Sequence, residues 1–241
     1  MALKLFVDFD GTITHNDVGD LIFRELGIEN YDVLVQDYLD GKIGSPEYWI
    51  RVCERAGAVN REAMERSVDR QEIDPTFIDL TNFCKSRDLE YFILSDGFDF
   101  YIERLLKRFG LEEVEYFSNR LEFQPVDGTG SFFLRPVFPY LDEECTRCAN
   151  CKRNHLLTLS SDDDVIVFVG DGLSDLCPSK YADIVFAKKD LIRYCREENI
   201  SYYEYQNFRD VMDRLEKILA QKRIRKRWQA ELRRREAFLQ G

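Results

Sequence analysis

The sequence predicts a doubly wound α/β fold, a parallel sheet covered by helices on both faces, with a helical cap inserted near its start. Three observations predict it. Apolar, β-rich runs at 3–10 ("LKLFVDFD"), 90–95 ("EYFILS") and 164–171 ("DVIVFVGD") are nearly continuous rather than alternating, as expected of strands buried on both faces. Helical patterns separate these runs, and such alternation builds a parallel, Rossmann-like sheet through right-handed crossovers. The gap between the first two runs is too long for one crossover helix, so an insertion fills it.

The run at 3–10 is the first strand. Asp8 and Asp10 share side-chain parity, so a continuing strand brings both carboxylates to one face, where they repel unless positive charge lies between them. Gly11 and Thr12 then turn the chain and present backbone N–H groups suited to an anion. Helix starts at Ser45 before Pro46 and at Asn60 mark residues 16–72 as the helical cap. Asp74 before Pro75 begins the return helix, through Phe77, Leu80 and Phe83, so the core comprises 1–15 and 73–241.

After the strand at 90–95, "DFYIERLLKRFG" (99–110) sets Tyr101, Ile102, Leu105, Leu106 and Phe109 on one helix side, with Gly110 as the stop. Residues 117–140 carry an Asp-Gly turn between β-rich flanks and read as a hairpin or flap. Lys152 begins the helix feeding the strand at 165–169, and "DIVFA" (183–187) is a further strand. Leu215, Ile218, Leu219, Ile224, Trp228 and Leu232 recur at three or four positions, which predicts an amphipathic helix packed along the core with its charges solvated.

With 44% hydrophobic residues and 13% aromatics, the 241-residue chain can fill a sizeable core, which excludes global disorder. No apolar run approaches the roughly 20 residues that span a bilayer, and no signal-peptide layout opens the chain. The expectation is a cytoplasmic protein, monomer or homodimer. Its net charge of −11 conceals +8 on residues 214–235 and about −19 on the rest. So acidic a body predicts no nucleic-acid partner, and no membrane partner is expected either. Cys145, Cys148 and Cys151 form CxxCxxC, with His155 and Cys177 as the nearest fourth ligands; they read as semi-buried thiols beside Lys152, with zinc and redox sensitivity as alternatives.

The chemistry concentrates at strand ends, where open α/β sheets bind ligands. "GDGLSD" (170–175) follows the third run, so Asp171 and Asp175 join Asp8 and Asp10 if the strands are neighbours. Oxygen donors without His or Cys favour a hard cation, most simply Mg²⁺. "ILSDG" (93–97) adds Ser95 and Gly97 in the same strand-then-turn arrangement. A hydroxyl, Lys152 and exposed amides around magnesium make a phosphate cradle, beside which a carboxylate nucleophile can form an aspartyl-phosphate.

Asp8-Phe9-Asp10-Gly11-Thr12, Ser95, Lys152 and Gly170-Asp171-Gly172-Leu173-Ser174-Asp175, in that order, resemble the four motifs of the haloacid dehalogenase superfamily of phosphatases. The resemblance implies Asp8 as nucleophile and Asp10 as general acid/base. It implies Thr12 and Ser95 as phosphate-contacting hydroxyls and Lys152 as steadying phosphate and nucleophile; the adjoining Asp96 and Gly97 are expected to bind substrate. Asp8, the Asp10 carbonyl, Asp171 and the supporting Asp175 correspond to the Mg²⁺ set, and the insertion is similar to a C1 cap, as in the phosphoserine phosphatase branch. "TITHNDV", "SDGFDFYI" and "CTRCANCK" narrow the likeness to 2-hydroxy-3-keto-5-methylthiopentenyl-1-phosphate phosphatases and to phosphoethanolamine/phosphocholine phosphatases. The expected activity is Mg²⁺-dependent hydrolysis of a small-molecule phosphomonoester, with phosphoserine as a further substrate and phosphotransfer as the alternative outcome of the same site.

Overall fold

The computed structural model describes residues 2–240. The strand β1 (Leu3–Asp8) ends in a tight turn, Phe9–Ile13, and four helices follow: α1 (Val18–Glu25), α2 (Tyr31–Leu39), α3 (Ser45–Ala56) and, after the short β2 (Ala58–Val59), α4 (Arg61–Asp69). Next come α5 (Thr76–Ser86), β3 (Glu90–Phe98), α6 (Asp99–Arg108), β4 (Tyr116–Pro125) and β5 (Phe132–Val137). The remainder is α7 (Lys152–Thr158), β6 (Val165–Gly170), α8 (Leu176–Tyr181), β7 (Ile184–Ala187), α9 (Lys189–Glu197), β8 (Tyr203–Glu204), α10 (Phe208–Leu219) and α11 (Trp228–Gln240).

The sheet order is β2-β5-β4-β3-β1-β6-β7-β8. The strands from β4 to β8 pair in parallel, while β5 and β2 add an antiparallel edge. Leu5 and Val7 enter one apolar cluster and Phe6 the other, so β1 is covered on both faces. β6 is buried along its whole length. This is the doubly wound α/β arrangement that continuous apolar runs require.

Local chemistry sets the helix starts. The Asn60 side chain accepts from the Ala63 amide at 2.8 Å and caps α4. Pro46 stands in the first turn of α3, where its missing N–H goes unneeded. Asp74 accepts from the Thr76 amide at 2.8 Å and its hydroxyl at 2.6 Å, opening α5.

Three features depart from expectation. The strand stops at Asp8, because Gly11 takes φ +73° and the chain swings off the sheet, so Asp8 and Asp10 do not share a strand face. The hairpin β4–β5 is joined to the inserted segment, since β2 pairs with β5 through Ala58↔Phe133 and Val59↔Phe132. The C-terminal amphipathic segment is not one helix lying along the core. It breaks between α10 and α11, and Trp228 and Leu232 end up exposed. The cause is anchoring by cations: Arg227 donates to the Ser179 carbonyl, and Arg234 to Asp183 and the Tyr181 carbonyl.

All seven cysteines are free thiols. Among the described residues, the one group of three possible metal ligands lying close together is Asp8, Asp171 and Asp175; the sulfurs of Cys145, Cys148 and Cys151 are not gathered in this way. No helix among those residues is long and apolar enough to cross a membrane.

His155 gives the fold a pH dependence. It is buried, its Nε2 lies 2.7 Å from Asn150 Oδ1, and burial lowers its pKa to about 4. The folded state therefore binds this proton less readily than the unfolded chain. Its stabilising contribution is present above about pH 6.5 and is lost as pH falls towards 4, by on the order of 3 kcal/mol. Thermal melts between these limits should show a steeper acid loss in the wild type than in His155→Gln; parallel curves would refute this role.

Candidate active site

The C-terminal ends of three adjacent strands meet: Asp8 closes β1, Ser95–Gly97 lie at the end of β3, and Asp171 follows β6. α7 delivers Lys152 to the same point. Its ammonium lies 2.5 Å from Asp8 Oδ1, 2.6 Å from Asp175 Oδ1 and 3.1 Å from Ser174 Oγ, and is buried. Residues near 8, 95, 152 and 171 gather around one cavity, of about 390 Å³.

Asp8, Asp10, Gly11, Asp96, Gly97 and Asp171 line the cavity. Thr12, Ser95, Lys152 and Asp175 stand behind this wall. The Thr12 hydroxyl donates to Asp171 Oδ1 at 3.3 Å. Asp175 Oδ2 accepts from the Asp171 and Gly172 amides at 2.9 and 3.0 Å, which fixes the turn carrying Asp171. The Gly170 Cα packs on the same carboxylate, leaving no room for a side chain there.

Asp10 points elsewhere. Its Oδ2 accepts from Tyr101 at 2.7 Å and from Ser95 at 3.1 Å, and its Oδ1 accepts from the Val18 amide at 3.0 Å. Its carboxylate is not part of the Asp8/Asp171/Asp175 group, so the positive charge on Asp8 is the Lys152 ammonium, not an ion shared with the Asp10 side chain. The Tyr101 contact was not foreseen. A side chain at Gly97 would meet the Tyr101 hydroxyl at 1.5 Å, so glycine there lets the ring reach Asp10.

Electrostatics divide the site. Burial, then repulsion from Asp175, raises the Asp8 pKa well above the usual carboxylate value, against the pull of Lys152. Burial and Asp175 likewise raise Asp171, against Lys189, whose ammonium lies 2.9 Å from its Oδ2. Burial opposes the Lys152 charge, yet Asp175 and Asp8 outweigh it and hold Lys152 protonated. Burial raises Asp10, opposed by the hydrogen bonds of Tyr101, Val18 and Ser95.

Oxygens of Asp8, Asp171 and Asp175 lie within 4.8 Å of one another. Three carboxylates so close, with the pKa values of Asp8 and Asp171 raised by burial and by Asp175, are an all-oxygen donor set that a hard divalent cation fits. Lys189 is a second unforeseen member: it also donates to the Gly11 carbonyl at 2.8 Å, tying the first turn to the last. Asn150 is a third, donating through its side chain to the Ser95 and Phe117 carbonyls and through its amide to Asp96.

The outer wall comes from the inserted helices: Asp17, Asp20, Arg24, Tyr38, Tyr48 and Trp49. Arg24 is paired with Asp20 at 2.7 Å and also with Asp32. Burial, then Asp10, raises Asp17 to about 7, and burial raises Asp96 to about 6 against a hydrogen bond from Ser45. Arg51 pairs with Glu47 on the surface and lies outside the cavity wall, as does Arg55.

The geometry agrees with what this chain resembles. It is 33% identical over 230 residues to the Pdp3-interacting factor 1 of Schizosaccharomyces pombe, covering 90% of this chain and 96% of that one. It is 28% identical to a 2-hydroxy-3-keto-5-methylthiopentenyl-1-phosphate phosphatase of Bacillus mycoides, covering 91% and 98%. Among solved structures, a substrate-bound phosphoserine phosphatase superposes with a TM-score of 0.69 at 21% identity, over 89% of this chain and 98% of that one. A phospho-aspartyl intermediate analogue of phosphoserine phosphatase gives 0.68 at 20%, over 88% and 98%. The profile of the family described as Putative Phosphatase matches residues 3–223, and the chain belongs to that family, a phosphatase branch of the haloacid dehalogenase superfamily.

Proposed function

We propose that the chain hydrolyses a small-molecule phosphomonoester by nucleophilic attack of the Asp8 carboxylate on phosphorus. The observation that carries this is Asp8 on the cavity wall, held by a buried lysine 2.5 Å away. The lysine orients one carboxylate oxygen and leaves the other for attack. The bond to the ester oxygen breaks as the Asp8–phosphorus bond forms, and protonated Asp10 gives its proton to the departing alkoxide. Asp10, now a carboxylate, takes a proton from water, which attacks phosphorus and frees Asp8 and phosphate. Asp8 and Asp171, with Asp175 in support and the Asp10 carbonyl, would hold Mg²⁺, which would supply positive charge for the phosphoryl oxygens. Ser95, Gly97, Thr12 and Lys152 are assigned to the phosphate side of the cavity, and Asp96 to substrate binding.

Residues 16–72 are assigned as the cap and 1–15 with 73–241 as the core. Supporting this, the chain leaves and returns side by side, through a Thr14↔Ile73 bridge and a 2.8 Å bond from the Asp74 amide to the Ile13 carbonyl. The inserted segment also meets the core where the Ser45 amide donates to the Arg147 carbonyl at 2.8 Å, and Gly44 packs so tightly that a Cβ would stand 1.8 Å from the Thr146 carbonyl oxygen. This contact ties the inserted helices to the segment leading into α7.

Tyr101 tests the acid/base assignment. Its hydroxyl stabilises the Asp10 carboxylate, so Tyr101→Phe raises the Asp10 pKa. The alkaline limb of the kcat profile, where Asp10 loses the proton it must donate, then moves to higher pH. An unmoved limb would exclude the coupling.

For the substrate, the Bacillus relatives support the methionine-salvage ester 2-hydroxy-3-keto-5-methylthiopentenyl-1-phosphate. A specific observation favours a second reading, an ester whose alcohol carries an ammonium group, such as phosphoethanolamine or phosphocholine. Asp17 and Asp96 face the cavity beside Tyr38, Tyr48 and Trp49, and a cation among them gains both charge and ring-face contacts. Arg51 and Arg55 do not line the wall; the cap arginine that does, Arg24, is already paired with Asp20 and Asp32. kcat/KM across these four esters decides, with free phosphate compared against phosphorylated competing alcohols to separate hydrolysis from phosphotransfer. Asp96→Asn should lower kcat/KM for the amine esters selectively if the second reading holds.

A further inference from the structure

We propose that the outward face of α11 and the basic linker before it form a docking surface for anionic lipid headgroups, seating the protein on a negatively charged membrane surface. The family match stops at residue 223, so most of this surface lies outside the matched residues. At 100° per residue, Trp228, Leu232, Arg235 and Leu239 fall within an arc of about 60° on one side of the helix. Trp228, Leu232 and Leu239 are 66%, 45% and 87% exposed. The opposite side is the anchored one: Ala230 is buried, and Arg234 is buried against Asp183 at 2.9 Å. A helix packed on a globular core ordinarily turns its large apolar residues inward. Here the small and hydrogen-bonded residues face the core, and the large apolar ones face out.

The charge around this stripe says what covers it. Lys222, Arg223, Arg225, Arg233 and Arg235 are exposed, and among the described residues none of them makes an ion pair, although the chain carries a net −11. Elsewhere on the surface, arginines such as Arg24, Arg61, Arg70, Arg87 and Arg104 each hold a carboxylate. Unpaired cations flanking exposed tryptophan and leucine match an interfacial helix, whose apolar side enters the headgroup boundary while its cations meet anionic lipid. A second copy of the chain is a poorer occupant, since a two-fold contact sets this basic face against itself. Nucleic acid would use the cations and leave the apolar stripe in water.

The test uses the full chain with vesicles of phosphatidylcholine alone and of phosphatidylcholine with phosphatidylserine, at low and high salt. Of the two tryptophans, Trp49 is buried and Trp228 exposed, so a blue shift of the emission reports Trp228 entering the interface. We expect sedimentation and a blue shift with the anionic vesicles only, both weakened by salt. A R223E/R225E/R233E/R235E variant should bind at least about 100-fold more weakly. W228S/L232S/L239S should lose the shift and most of the binding. Both variants should keep wild-type turnover of an aryl phosphate, which shows that they fold. Absence of binding, or equal binding to neutral vesicles, overturns the proposal. So does salt-sensitive binding of RNA or DNA that survives W228S/L232S/L239S, or a dimer that this variant abolishes.

Discussion

Asp8→Asn should lower turnover of an aryl phosphate by about 10⁴-fold or more while leaving the fold intact. The asparagine keeps the size and planarity of the side chain at the end of β1, but its amide is a far poorer nucleophile than a carboxylate. Lys152 retains a charged partner, since Asp175 Oδ1 lies 2.6 Å from its Nζ. Loss of activity with an unchanged melting temperature therefore separates chemistry from folding. The covalent step has its own signature. Acid quenching of the wild type during turnover should trap one phosphoryl group on the peptide containing Asp8, and the variant should trap none. A variant within tenfold of wild type, or a phosphopeptide that lacks residue 8, would remove Asp8 as nucleophile. Asp10→Asn serves as the contrast: its attacking carboxylate is intact, so phosphoenzyme should form slowly and decay slowly.

How much of this site the sequence displays depends on where each residue sits. Asp8, Ser95 and Asp171 are legible because each interrupts or follows a continuous apolar run, and a polar residue at a strand's C-terminal end lies at the crevice of an open sheet. Asp10 was legible as a residue but not as a direction, because parity holds only while the strand continues and Gly11 ends it. Tyr101 was hidden by its position, which shares the apolar face of α6 with Ile102, Leu105 and Leu106. The available signal was its hydroxyl, since a buried tyrosine ordinarily finds a partner for it. Lys189 follows the strand ending at Ala187, so the strand-end argument that found Asp171 applied to it as well.

Other parts were illegible in principle. β2 has two residues, too few for any periodicity, yet it joins the hairpin to the inserted helices. The spacing from Leu215 to Leu232 read as one apolar stripe because the linker happens to preserve the interval. Packing of α11 is decided by Ala230 and Arg234, whose partners near 181–183 are distant in sequence.

Lys152→Met should be the most destabilising single change in the site. The ammonium is buried between Asp8 and Asp175, with Asp171 in the same 4.8 Å cluster. A methionine fills the stem's volume but leaves buried carboxylates without their cation. Breaking such a pair costs about 3–5 kcal/mol, which for a chain of this size lowers the melting temperature by on the order of 10 °C. Activity should be lost as well, since Asp8 loses the group that orients it. The pH dependence identifies the cause. Burial and Asp175 already raise the Asp8 pKa, and the Lys152 charge opposes them, so its removal raises that pKa further. A carboxyl group with a raised folded pKa supports folding while protonated and loses that support as pH rises through the folded value. The deficit of the variant should thus be small below about pH 4 and grow towards neutrality. Magnesium chloride should raise the melting temperature of the variant more than that of the wild type, because a divalent cation restores charge to the same oxygens. A deficit independent of pH and insensitive to magnesium would mean that the methionine disturbs packing, and that Lys152 is not the counter-charge on which the arrangement of Asp8 depends.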